Sequence, residues 1–252
     1  MITDAAQESA PEQGVLVTSR PLDEYCALFG LTRARLAALP GPVLDCPVGA
    51  AALAAEARAL GCRVIAADQA YALPLPEVVA RAVAARTSMA VAMAARPELY
   101  PSPGPRRPDR PARYLRSRGR ARRLFAEDSA THPQRYVAAA LPRLPVADGA
   151  FALTLSGYLL FAYPELFGSE RQLAALIELV RVTAADGEVR VQPLHDGHGR
   201  RCGHLDRLRY ALGGRRIASE VRQVPDWDGS TRRALVLRAV GRHPRRRPSS
   251  RL

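Results

Sequence analysis

Two carboxylates stand at matching places in this chain. Asp45 closes the apolar run Val43-Leu44, and Asp68 closes Val64-Ile65-Ala66-Ala67. One turn glycine, Gly49, lies between them, nineteen residues before Asp68. An acid closing a parallel strand faces the carboxyl edge of the sheet, where open α/β folds bind ligands. A second polar group, His195, Asp196, His198, Cys202 and His204, reads H-D-x-H-x3-C-x-H. Imidazole and thiolate this dense could hold zinc, but the spacing matches no common zinc pattern and no metal is assigned. His195 or His198 could instead act as a general base. A third group is cationic: from Arg106 to Arg123 nine arginines stand against one acid, Asp109. Guanidinium forks suit phosphate oxygens. The same run also reads as a solvated amphipathic helix with Tyr114, Leu115, Leu124 and Phe125 packed inward, because regularly interleaved aromatics for base stacking are missing. No Ser-His-Asp set, P-loop or paired-carboxylate signature stands out.

The elements that carry the two acids follow from the local pattern. After Asp45 comes a small-residue turn, then an Ala/Leu helix with Leu53, Ala57 and Leu60 on one face, closed by Gly61. The second apolar run follows. Pro42 to Tyr71 is thus strand, turn, helix, strand, a βαβ unit of about thirty residues, and parallel strands need such a crossover.

This unit resembles the nucleoside-binding half of class I S-adenosylmethionine-dependent methyltransferases, whose first motif is acid-x-Gly-x-Gly-x-Gly with a ribose-binding acid about twenty residues on. Asp45 matches the first acid, Gly49 the middle glycine and Asp68 the ribose acid. Pro47 and Ala51 replace the flanking glycines; Pro47 fixes φ and removes a donor, and Ala51 adds a methyl. A single glycine suits a dinucleotide G-x-G-x-x-G turn poorly. Arg135 to Tyr163 carries a second likeness. Leu144-Pro145-Val146, Asp148-Gly149 and Phe151 reproduce the order that leads into the family's fourth strand, here Phe151 to Leu155 with Ser156-Gly157-Tyr158 at its end. Ala140 and Ala152 stand where the family has acids.

The resemblance implies an α/β fold: an open, mostly parallel mixed sheet with a C-terminal antiparallel hairpin and helices on both faces. It implies S-adenosylmethionine as cofactor, contacted by Asp45, Cys46, Pro47, Gly49, Asp68, Gln69 and Ser156. Asp45 would orient the methionine amino end, Gly49 would admit backbone close to the ligand, and Asp68 would accept both ribose hydroxyls. A methyl acceptor is the implied partner, a small molecule in preference to a nucleic acid held by Arg106–Arg123. The alternative is a degenerate methyltransferase-fold protein that binds a nucleoside or nucleic acid, or acts as an interaction module.

Composition sets the frame. With 252 residues, 48% of them hydrophobic, the chain can bury a sizeable core and is not globally disordered. Its 37 basic residues, all Arg, against 24 acids give +13, which favours anionic partners; a chain crowded with Ala and Pro and lacking Lys explains the excess equally by compositional drift. The four cysteines form no C-x-x-C pair. The polar start is unlike a signal peptide, and no uninterrupted apolar run is long enough to span a membrane, so the reading is cytoplasmic. Residues 1–20 read as a loose tail and 21–240 as one domain, with an Arg/Pro-rich insertion at 97–128 and a basic disordered tail at 241–252. Helices are expected over 21–39, over Pro74 to Arg96 with a break near Thr87-Ser88, over 169–182 capped by Ser169, and over His204 to Leu212. Strands are expected at 188–193, 215–224 and 231–240. Met89 and Met93 read as core filler.

Overall fold

The structure is a computed structural model that describes residues 14–96, 110–225 and 231–241. Its frame is the βαβ unit. Strand β1 (Val43–Asp45) and strand β2 (Val64–Asp68) pair in parallel across helix α3 (Leu53–Arg58), with Val43 opposite Val64 and Asp45 opposite Ala66. Asp68 therefore stands two residues further toward the carboxyl edge than Asp45. Every residue of β1 is buried, which is why the strand reads as an apolar run and not as an alternation.

Five more strands complete the sheet: β3 (Tyr136–Ala138), β4 (Phe151–Gly157), β5 (Thr183–Gln192), β6 (Ile217–Pro225) and β7 (Thr231–Ala239). Their order is β3-β2-β1-β4-β5-β7-β6, and β7 runs antiparallel to both β5 and β6. The expected sheet is therefore the one observed, with the hairpin at one edge.

Alternate residues of each strand feed opposite layers. Leu44, Val189 and Leu235 pack under Leu176 and Leu179 of α6 (Ser169–Val182) and Leu212 of α7 (Leu205–Gly213). Val43, Val64 and Leu153 pack under Leu22, Tyr25 and Leu28 of α1 (Leu22–Phe29) and Leu53 of α3. The short α2 (Arg33–Ala37) joins that face. Helices α4 (Leu75–Ala95) and α5 (Arg110–Thr131) follow β2 and pack on each other through Val78, Ala82 and Phe125, with Met89, Met93 and Tyr114 as a separate cluster.

Several local expectations are corrected. Helix α4 runs unbroken through Thr87 and Ser88, because its buried stripe Val78, Ala82, Ala85, Met89, Met93 continues past them. By length and composition α4 is apolar enough to cross a membrane, although part of it is buried inside the domain. Ser169 does not cap α6: it already belongs to the helix, Gly168 precedes it, and no side chain closes that end. Strand β5 starts at Thr183, not 188. The Asp186-Gly187 turn is a bulge within it, where partners jump from Phe151–Thr183 to Leu153–Glu188. A Cβ on Gly187 would lie 2.7 Å from the Ala152 carbonyl oxygen, so this bulge needs glycine.

The largest correction concerns the presumed tail. Val17, Thr18, Ser19 and Arg20 are buried, and the segment docks on the β1–α3 turn. The Ala50 N–H donates to the Thr18 carbonyl at 2.8 Å and the Ala52 N–H to the Arg20 carbonyl at 2.9 Å. Residues 1–13, the proline-rich stretch through 109, and residues 242–252 lie outside the described residues.

Candidate functional site

The parallel strands end on one edge, and a cavity of about 680 Å³ opens there. Such a volume suits a small-molecule site. Pro47 and Gly49 from the β1–α3 turn, Asp68 from β2 and Gly157-Tyr158 from β4 form one side. The docked segment supplies Thr18 and Arg20, and the loop after β5 supplies His195, Asp196 and His198. Met89 and Ala92 of α4 cover it; Met89 is thus cavity wall as well as core. The Arg96 guanidinium donates to the His198 carbonyl at 3.1 Å, tying the end of α4 to the β5 loop.

Asp68 holds the turn together. One carboxylate oxygen accepts from the Gly49 N–H at 2.7 Å and the other from the Ala70 N–H at 2.8 Å. Burial pushes its carboxyl upward, while these N–H groups and that of Val48 pull back. Gly49 has φ +64, and its Cβ position lies 2.5 Å from the Thr18 carbonyl oxygen. The close approach that glycine allows is made by the chain's own Thr18, while Gly49 also lines the cavity.

Asp45 is 1% exposed and does not line the cavity. The Tyr25 hydroxyl faces it but does not close a well-formed hydrogen bond to either oxygen. Burial raises its carboxyl to about 7, against the opposing pull of the Tyr25 hydroxyl and the Arg20 cation. The folded chain keeps this proton at pH values where the unfolded chain, with a carboxyl near 3.8, has lost it. Stability from this group must then fall as pH rises from about 4 to about 7 and level off above. Denaturant unfolding across that range is expected to show this slope in the wild type and its loss in Asp45→Asn; equal slopes would contradict the assignment.

Of the other expected contacts, Cys46 and Ser156 are each 1% exposed and lie behind the cavity wall, and burial drives the Cys46 thiol well up. Gln69 is exposed in the turn Gln69–Ala72, away from the cavity. Ala140 is exposed beyond β3, and Ala152 sits at the opposite end of β4, bonded to Pro42. The structure thus brings together Pro47, Gly49 and Asp68 and leaves Asp45, Cys46, Gln69 and Ser156 off the wall.

Sequence reasoning missed Arg20. It is 6% exposed, its guanidinium lies 4.4 Å over the Tyr158 ring, and its Nε is 3.4 Å from Glu24 without completing a hydrogen bond. Tyr158 has φ 54, an uncommon conformation for a bulky residue at a strand end. No periodicity marks Arg20; only its place before the Pro21-capped helix did. The histidines do not converge: His204 bonds Gln172 at 2.6 Å, and among the described residues no three His, Cys, Asp or Glu side chains are placed to hold a metal. Along α5, Arg113, Arg116, Arg120 and Arg123 are exposed while Arg118 is buried.

The strand order with its single reversed strand defines a class I methyltransferase architecture. No protein-family model matches the chain. An uncharacterized protein of Methanocaldococcus jannaschii is 26% identical over 95 residues, 38% of this chain and 42% of that relative, so the chain spans less than half of its length. The chain is similar in structure to the 1,6-didemethyltoxoflavin N1-methyltransferase of Burkholderia thailandensis, solved with 1,6-didemethyltoxoflavin and S-adenosylhomocysteine (TM-score 0.45, 17% identity, 82% of this chain and 76% of that one). It is similar also to the CcbJ methyltransferase of Streptomyces caelestis (TM-score 0.47, 15% identity, 82% and 92%). At these scores the architecture rests on the strand order and not on the likeness.

Proposed function

We propose that this chain is an S-adenosylmethionine-dependent methyltransferase acting on a small-molecule acceptor. The observation that carries the reading is the cavity at the carboxyl edge of the sheet, walled by Asp68, the Gly49 turn and the buried cation Arg20.

The residues present fit the cofactor in its ribose and methionine halves. An ionised carboxylate has about four acceptor positions. After its bonds to Gly49 and Ala70, Asp68 keeps capacity for ribose hydroxyls at the wall. Arg20, with its plane set by Tyr158, offers a charge-assisted hydrogen bond to the methionine carboxylate. No side chain at Gln69 or Ala140 reaches the cavity, so adenine would rest on backbone groups and apolar walls. When bound, S-adenosylmethionine supplies an electrophilic methyl on a sulfonium. The protein's part is alignment and exclusion of water, for which the Thr18 segment and the Arg96–His198 tie form the walls. His195 Nδ1 lies 2.8 Å from the Asp196 carbonyl, which can only accept. Nδ1 therefore carries the hydrogen, and Nε2 is left to take a proton from an acceptor hydroxyl or amine.

Calorimetric titration of the full chain with S-adenosylmethionine is expected to show one site with micromolar affinity, about −8 kcal/mol. Arg20→Gln should weaken it while the chain stays folded by circular dichroism. No binding by the folded wild type would overturn the enzyme reading and leave a methyltransferase fold turned to nucleoside-free interaction.

A further inference from the structure

Three arginines meet where the α4–α5 pair packs over the N-terminal segment. A recess of about 20 Å³ lies there, lined by Thr18 and Ser19, by Arg86 of α4, and by Arg118 and Arg122 of α5, with apolar residues completing the wall and no carboxylate among them. Arg118 is 5% exposed. Its Nη2 pairs with Glu24, but Nε and Nη1 have no hydrogen-bond partner. The guanidinium lies 4.5 Å over the Tyr114 ring, a contact that satisfies its face and leaves the Nη1 hydrogens without an acceptor.

Charge points the same way. Glu24 is shared between Arg118 and the equally buried Arg20, so two buried cations face one carboxylate. A buried charge without its counter-charge costs several kcal/mol, and unpaired buried N–H groups add to that. Arg86 and Arg122 raise the local positive potential further, and among the described residues neither has an ion pair. Arg86 is exposed and Arg122 half-buried, so both can turn outward to admit a group larger than the single water that such a volume takes.

We propose that this recess binds a small oxyanion of the phosphate class. The anion accepts from the free Nη1 of Arg118, is enclosed by Arg86 and Arg122, and takes hydroxyl hydrogen bonds from Ser19 and Thr18. The site is separate from the larger cavity, although Thr18 and Met89 form a common wall, and it does not depend on the methyltransferase reading.

Titration of the full chain with inorganic phosphate, at low ionic strength in an oxyanion-free buffer, tests it. One saturable site is expected, weakened tenfold or more by Arg122→Ala and by Arg86→Ala. Arg113→Ala/Arg116→Ala removes two charges from the outer face of α5, one more than either of these, and is expected to leave affinity unchanged. Phenyl phosphate binding as well as phosphate would assign the phosphoryl end of a larger ligand; its exclusion would assign the free ion. Absence of saturable binding by the folded wild type would overturn the proposal. So would equal weakening by the Arg113/Arg116 pair, which would make the effect one of net charge.

Discussion

Gly49→Ala is expected to lower the free energy of unfolding by about 2–4 kcal/mol and to abolish measurable S-adenosylmethionine binding. Two costs add at this position. The φ of +64 is one that L side chains adopt with strain. The added Cβ would lie 2.5 Å from the Thr18 carbonyl oxygen and 3.0 Å from the Thr18 nitrogen. Both are backbone atoms, and Thr18 is held in place by its bond from the Ala50 N–H. Relief therefore requires the whole docked segment to lift, and with it the wall that carries Thr18 and Arg20. Denaturant unfolding measures the first effect and calorimetry the second. A loss under about 0.5 kcal/mol, the size of an ordinary surface change, would show that the segment is not seated as described.

Asp68→Ala should act on both quantities for a different reason. Removing the carboxylate leaves the Gly49 and Ala70 N–H groups without their acceptor, and an unsatisfied buried donor costs about 1–3 kcal/mol. Its loss from the cavity wall should weaken S-adenosylmethionine at least tenfold, about 1.4 kcal/mol. The two readouts separate its roles. Reduced stability with unchanged affinity would make Asp68 a tie for the turn alone. Reduced affinity at nearly unchanged stability would place its energy in the ligand.

The local physics of the chain was enough for the frame. Val43-Leu44-Asp45 and Val64 to Asp68 are fully apolar runs closed by acids, and a strand buried on both faces requires that composition whatever its neighbours are. The helix between them and the alternating C-terminal hairpin follow from periods of 3.6 and 2. Asp68 and Gly49 were legible as a pair because their spacing is a property of one crossover. Their roles were not. Gly49 is needed for Thr18, and half of Asp68's work is to hold Gly49, because the register carries Asp68 two residues past Asp45.

Tertiary structure decided the rest. Asp45 and Ser156 lie on the right strands, and Cys46 directly after one, but all three are buried and do not line the cavity. The segment Val17–Arg20 has no period and no motif. It is held by the N–H groups of Ala50 and Ala52, just before α3, which donate to its carbonyls, and by the packing of Val17. Arg20 and Glu24 are near neighbours in the sequence, but Arg118 stands 94 residues from Glu24 along the chain. Only folding brings two cations to one buried carboxylate, and that imbalance gives this protein its second candidate site.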